Sequence, residues 1–224
     1  MLDRAGANSE RVRTNMAFVA PPDLEHLSAE EVLAHAVERH GDRLAVACSF
    51  QKESSVVIHM LAELEPPPRV FTIDTGVLFP ETRETWRKLE QRYGLEVDVL
   101  DASSPDGVPW SAERCCSERK VEVFEQALQS ADAWVSGIRR EQAPTRAAAP
   151  KVEWEPDRGV WKYNPLADWA ERDVWRYVAD HDIPYNELHD RGYGSIGCVP
   201  CTRPGAGREG RWAGTDQTEC GLHR

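Results

Sequence analysis

The six cysteines of this chain, Cys48, Cys115, Cys116, Cys198, Cys201 and Cys220, are the residues best placed to do chemistry, and their spacing is uneven. Cys115 and Cys116 are adjacent, Cys198 and Cys201 frame Val199-Pro200, and Cys220 stands four residues before the end. Four thiolates satisfy either a tetrahedral zinc ion or a [4Fe–4S] cube. Adjacent cysteines can hardly both reach one tetrahedral ion without strain, whereas a cube offers separate iron corners. The spacing therefore tilts toward the cluster and leaves zinc open. Cys48, inside an apolar run, reads as a small hydrophobe. Cys220 is a candidate nucleophile. With a reference pKa near 8.5, roughly 3% of such a thiol is thiolate at neutral pH, a share that neighbouring arginines would raise. An incidental tail cysteine is the plainer alternative.

Anion recognition is the second chemistry on offer. Arg139, Arg140 and Arg146 fall within eight residues, in Gly137–Arg146. Guanidinium forks bind phosphate or sulfate in bidentate fashion; a solvated basic loop is the competing reading. A second cluster, Arg203, Arg208 and Arg211, flanks the last cysteines. The turn Ser49–Ser55 (SFQKESS) offers hydroxyls and backbone N–H groups at a helix start, as an anion site or merely as a cap. It lacks the glycines and the G-K-[ST] ending of a P-loop, so ordinary ATPase chemistry is not expected.

These residues need a scaffold, and the composition supplies an ordinary globular one. The chain has 224 residues, 41% hydrophobic and 29% charged, with 27 Lys+Arg against 38 Asp+Glu. That length suits one domain with a sizeable core. The net charge of −11 argues against a general affinity for nucleic acid. No apolar run approaches the roughly 20 residues of a membrane span, and the first residues carry no apolar signal core. The expectation is a cytoplasmic protein in a reducing compartment, where the six cysteines are not three disulfides.

Residues 1–22 read as a flexible arm closed by Pro21-Pro22, within which Met16 is an alternative start. Residues 23–197 read as an α/β nucleotide-binding domain. Residues 198–224 read as a cysteine-bearing segment and tail of that same domain. Ser28 with Glu31 forms a capping box for a helix stopped by Gly41. Apolar runs predict strands at Arg43–Ser49, Arg69–Ile73, Leu95–Leu100 and Ala133–Ser136, with Val160–Tyr163 as an edge strand. Helices are predicted at Val56–Leu64, from Pro80 to Tyr93, at Ser117–Leu128 and at Glu171–Asp180. Alternation of this kind indicates an open, mostly parallel sheet with helices on both faces. Ligands of such sheets bind outside the carboxyl ends of the strands, here at Ser49–Ser55 and Asp74–Gly76.

Taken together, Cys115–Lys120 (CCSERK), GIRREQAPTRA, Asn164–Trp169 (NPLADW), IPYNELHDRGYGSIGCVPCTRP and the terminal ECGLH resemble the assimilatory sulfonucleotide reductases. The likeness is to the iron–sulfur adenylyl-sulfate (APS) reductases that use thioredoxin, and it runs from about Leu44 to His223. The resemblance implies an adenine-nucleotide α-hydrolase-like fold of PP-loop type. It implies a [4Fe–4S] cluster on Cys115, Cys116, Cys198 and Cys201. It also implies attack by Cys220 on APS, an S-sulfocysteine, and release of sulfite by thioredoxin. Lys120, Arg139, Arg140 and Arg146 would bind the substrate's phosphate and sulfate or couple them to the cluster, and Arg203 and Arg211 of the second basic cluster are candidates for the same ligand. Ser49, Ser54, Asp74, Thr75 and Gly76 would hold the nucleotide.

Two features depart from the pattern. Phe50 and Gln51 stand where related ATP pyrophosphatases have the glycines of SGGxDS, so monophosphate binding is expected and ATP cleavage is not. The segment between Cys201 and Cys220 is short and carries a single tryptophan, Trp212. Rival readings are a reductase of the 3′-phosphorylated substrate PAPS, whose dedicated members generally lack the four cysteines, a dual-specificity enzyme, and a zinc-stabilised nucleotide-binding or RNA-modifying module that needs no Cys220.

Overall fold

A computed structural model describes residues 23–65, 67–111, 113–212, 217, 219 and 221–223. The expected arm (1–22) and Cys220 lie outside the described residues.

The elements alternate as the apolar pattern predicts. Helix α1 (Ala29–His40) begins at Ser28, whose hydroxyl accepts from the Glu31 N–H while the Glu31 carboxylate accepts from the Ser28 N–H. Strand β1 (Leu44–Ala47) leads through a turn into α2 (Lys52–Ala62). Then come β2 (Arg69–Asp74), α3 (Pro80–Tyr93), β3 (Val97–Asp101), α4 (Ser117–Leu128) and β4 (Ala133–Val135). The chain continues through β5 (Val152–Glu155), β6 (Val160–Tyr163) and α5 (Glu171–Asp180). Pro80 fits the first turn of α3, where a missing N–H costs nothing, and Gly94 ends it in the left-handed region at φ 61°.

The six strands form one sheet in the order β3-β2-β1-β4-β6-β5, parallel except for β5, which runs antiparallel to β6. The chain winds outward from β1 through β2 to β3, then returns to place β4 on the other side of β1. That reversal opens a crevice at the carboxyl ends of β1 and β4, where open α/β sheets bind ligands. Helices cover both faces. Leu33, Val56, Leu89 and Val174, from α1, α2, α3 and α5, fill one core. Val123, Phe124 and Leu128 of α4 pack with Phe71 and Trp134 in the other, and Leu222 from the tail leans against it. Each fully buried side chain of this size contributes about 1.5–3 kcal/mol.

Two expectations need correction. Val160–Tyr163 is an interior strand, buried at all four residues, and the edge is β5. The charged VEWE of β5 hides its strand character, although its two glutamates meet Lys162 across the pair. Helix α2 starts at Lys52 rather than Val56, because Lys52, Glu53, Ser54 and Ser55 form its buried first turn.

Candidate active site

The turn between β1 and α2 is held from three directions. Ser49 Oγ and Ser54 Oγ lie 2.9 Å apart, and the Ser49 N–H donates to the same Ser54 hydroxyl. Gln51 reaches across to the chain near the cysteines: its Oε1 accepts from the Ile196 N–H at 2.7 Å and from the Ser195 hydroxyl at 3.3 Å. Phe50 takes a left-handed backbone, φ 56°, and its buried ring stacks on Trp86 with centroids 5.3 Å apart. Side-chain contacts fix here what glycines would leave to the backbone.

Beside this turn lies a network of charges whose centre, Lys52, Glu53 and Arg139, is buried. Arg139, 2% exposed, donates to Glu53 through Nε and Nη2 at 3.1 and 3.0 Å. It also meets Glu171 at 2.8 Å and Glu141 at 3.1 Å. Lys52 Nζ lies 3.3 Å from Glu171 and 3.3 Å from the Gly194 carbonyl. Burial pushes the Glu53 carboxyl up, but Lys52 and Arg139 together outweigh it and hold Glu53 below the usual carboxylate range. Arg139 is thus committed to carboxylates of its own chain.

The same cavity is also lined by Lys120, Arg146, Arg208 and Arg211, with Glu219 among them. Arg146 grips Glu219 through Nε and Nη2, both at 2.9 Å, and Arg208 adds a third contact at 2.9 Å. Arg211 donates to the Ile196 carbonyl at 3.2 Å and lies over Trp212. Its guanidinium occupies the space a Cβ at Gly197 would need, so that glycine makes its seat. His223, near the end of the tail, stacks on Trp134 at 5.6 Å. Burial, reinforced by the field of Arg146, Lys162, Arg208 and Arg158, holds this imidazole neutral. His223 therefore sits among cations inside an acidic protein.

The cysteines gather at the rim. Cys116 caps α4, and its Sγ is 3.6 Å from Cys198 Sγ; Cys201 donates to the Cys198 carbonyl at 3.6 Å. A Leu78–Cys198 bridge and the Val199 N–H bonded to the Val77 carbonyl tie this segment to the chain beyond β2. Hydrogen bonding from Cys116 lowers Cys115, and bonds from Cys116 and Cys201 lower Cys198; Cys116 and Cys201 are pushed up in return. The four thiols form one connected set with no histidine or carboxylate in it. That donor chemistry fits an iron–sulfur centre or zinc. Among the described residues no three His, Cys, Asp or Glu side chains converge as a single-ion site. Cys48 is buried, and desolvation raises its thiol to about 12, as suits a bystander.

Several expected site residues lie elsewhere. Arg140 turns outward to the Ala149 carbonyl and Glu25. Arg203 is exposed and does not line the cavity. Asp74 pairs with Arg83 and caps the Gly76 N–H, and Thr75 Oγ1 sits 3.1 Å from Cys198 Sγ. The Asp74–Gly76 turn therefore supports the cysteines rather than lining the cavity. Ser49, Ser54, Lys120, Arg139, Arg146 and Arg211 do line it. Glu53, Gln51, Glu219 and His223 acquire roles no motif assigned, although Glu219 and His223 fall within the ECGLH string.

Comparison with known proteins gives a consistent picture. The family profile of the phosphoadenosine phosphosulfate reductase domain matches residues 43–204. An adenosine 5′-phosphosulfate reductase from Salinibacter ruber is 43% identical, over 86% of this chain and 82% of its own. A phosphoadenosine 5′-phosphosulfate reductase from Gloeobacter violaceus is 40% identical, over 89% of this chain and 90% of its own. Among solved structures, a phosphate complex of phosphoadenylyl-sulfate reductase from Candida auris superposes with TM-score 0.66 at 27% identity, covering 88% of this chain and 97% of that one. An FMN adenylyltransferase from Candida glabrata, 18% identical with TM-score 0.61 over 91% of this chain and 75% of its own, shares the fold.

Proposed function

This chain belongs to the phosphoadenosine phosphosulfate reductase domain family, and from that premise we propose that it reduces adenosine 5′-phosphosulfate to sulfite and AMP, with reduced thioredoxin as electron donor, in the cytoplasm. It is an oxidoreductase of sulfate assimilation. The observation that carries the substrate and mechanism is the cationic side of the crevice, where Glu219 immediately precedes Cys220 in the sequence.

A sulfate sulfur is shielded by anionic oxygens, so an approaching thiolate needs cations to cancel the repulsion. Lys120 and Arg211, with Arg146 and Arg208 beside them, supply that field and stabilise the phosphate as it leaves. The Cys220 thiolate attacks the sulfur of APS. The sulfur–oxygen bond to phosphate breaks, AMP departs with the electron pair, and Cys220 becomes an S-sulfocysteine. A thioredoxin thiolate then attacks Cys220 Sγ, and the bond to the sulfonate breaks to release sulfite with that electron pair. The second thioredoxin thiol resolves the mixed disulfide and regenerates the Cys220 thiolate. The two electrons come from the thioredoxin dithiol, which leaves as a disulfide.

Ser49 and Ser54 hold the nucleotide at the start of α2. Cys115, Cys116, Cys198 and Cys201 would hold a [4Fe–4S] cluster, which when bound supplies a fixed charge distribution beside Lys120 and ties α4 to the 198–201 turn. Iron and sulfide analysis with a visible spectrum tests this: a colourless protein with one zinc would remove the cluster from the reading. Residues 198–224 act as part of the 23–197 domain, a reading supported by Arg208, Arg211, Glu219 and His223 lining its cavity. Among the described residues no helix is long and apolar enough to cross a membrane.

The decisive experiment mixes the protein with APS or PAPS in the absence of reductant and weighs the Cys220 peptide. A sulfonate adduct with APS is expected; its absence with both nucleotides sinks the mechanism. A stronger adduct with PAPS would favour the second reading, which the Gloeobacter violaceus relative keeps in play.

A further inference from the structure

Glu219 has a carboxylate where an anion-binding site would be expected to avoid one. Set among cations meant for a substrate, a carboxylate calls for a role of its own. Its grip is specific: Arg146 forks it with two bonds of 2.9 Å and Arg208 adds another at 2.9 Å. Arg146 and Glu219 are 9% and 17% exposed at their side chains, which limits screening by solvent. The Gln217 side chain donates to the Glu219 carbonyl at 2.9 Å. Beyond residue 220, the Leu222 carbonyl accepts from Arg158 at 2.9 Å, and His223 stacks on Trp134.

The charge balance says whether a substrate must expel Glu219. The described lining of the cavity sets Lys52, Lys120, Arg139, Arg146, Arg208 and Arg211 against Glu53, Glu141, Glu171 and Glu219, two positive charges in excess. A phosphosulfate joins a singly charged phosphate ester to a singly charged sulfate, so the surplus suffices with Glu219 in place. Resting on the reading of Cys220 as nucleophile, we infer that Glu219 is a positioning residue. Its ion pair with Arg146, shared by Arg208, anchors the peptide that bears the Cys220 thiol beside the anion site while the substrate is bound.

The test compares wild type with Glu219→Gln. The variant should form the Cys220 sulfonate adduct with APS in a single turnover at least about tenfold more slowly, the scale of losing one charge-assisted hydrogen-bonded pair. Glu219→Asp should recover part of the rate. In a Cys220→Ser background, Glu219→Gln should shift the Kd for APS by less than about threefold, because the carboxylate is a tail anchor and not a substrate contact. Without any nucleotide, alkylation of Cys220 by iodoacetamide should quicken in Glu219→Gln, a readout that a merely structural role with unchanged Tm would not move.

Adduct formation by Glu219→Gln at the wild-type rate overturns the inference. So does a faster rate with APS bound at least about tenfold more tightly, which would make Glu219 a competitor of the substrate. If wild type forms no adduct, the nucleophile reading fails, and the alkylation comparison still decides the anchor: equal rates refute it. Should Glu219→Gln not fold, Arg146→Lys gives the same alkylation comparison.

Discussion

On the α2 side of the cavity, Arg139 and Lys52 meet Glu53, Glu141 and Glu171, and every charge is answered within a few ångströms. On the tail side, Arg146 and Arg208 meet Glu219, and Lys120 and Arg211 line the same cavity. Both sides are rich in arginine and lysine, and residue type does not tell them apart. What differs is the balance. On the first side the buried cations Lys52 and Arg139 are each paired with carboxylates of their own chain, so they hold the turn after β1 in shape. The second carries more cations than carboxylates among the described lining residues, as an anion site requires.

The largest effect that tests this division is Cys220→Ser. It should abolish sulfite release while leaving the visible spectrum, nucleotide binding and Tm close to wild type; turnover near wild type would refute the tail side as the seat of chemistry. Next comes Arg139→Met, which leaves Glu53 buried without its closest cation. A loss of about 3–5 kcal/mol in urea unfolding is expected, as for breaking a buried pair. A loss below about 1 kcal/mol would place Arg139 with the surface pairs instead.

Arg211→Ala is the mirror experiment. It should raise KM for APS about ten- to hundredfold, the scale of one charge-assisted contact, while costing roughly 1 kcal/mol of stability or less. A large fall in Tm with unchanged KM would merge the two sides. The smallest effect is a pH dependence. Because the folded Glu53 carboxyl lies below its ordinary value of 4.5, its contribution to stability is present above that value and is lost as pH falls through the lower folded value. The stability difference between wild type and Glu53→Gln should be flat near neutrality and shrink below pH about 4.5. A difference that changes between pH 6 and 8 would point to another group.

The division between the two sides also marks how far the sequence could be read. The alternation of apolar runs and helical stretches identifies the parallel sheet, and its connectivity points to the turn after β1 as a ligand site. The four thiols and the basic loop are equally visible. The fate of each arginine is not. Arg139, Arg140 and Arg146 sit on one short loop folded into two 3-10 turns, Arg140–Gln142 and Pro144–Arg146, which fan them in different directions. Arg139 meets Glu53 at a separation of 86 residues, Arg140 meets Glu25 at 115, and Arg146 meets Glu219 at 73. Partners that distant leave no local trace in the sequence. The Asp74–Gly76 turn misleads for the same reason: strand ends are the expected ligand site, but Thr75 is taken by Cys198, which lies 123 residues away.

Phe50 carries a consequence for how such a protein can change. Its left-handed backbone costs roughly 1–2 kcal/mol relative to glycine, yet its ring is fully buried and stacked on Trp86. Phe50→Gly would relieve the first cost but empty a phenyl-sized space worth about 3–5 kcal/mol. Trp86 is left without its partner in the same step. Neither residue can be exchanged profitably alone, so the route from this loop to a glycine-rich one crosses a less stable intermediate unless both positions change together. A descendant that acquired glycines here would be expected to carry a different residue at position 86, and the pair would vary as one inherited unit.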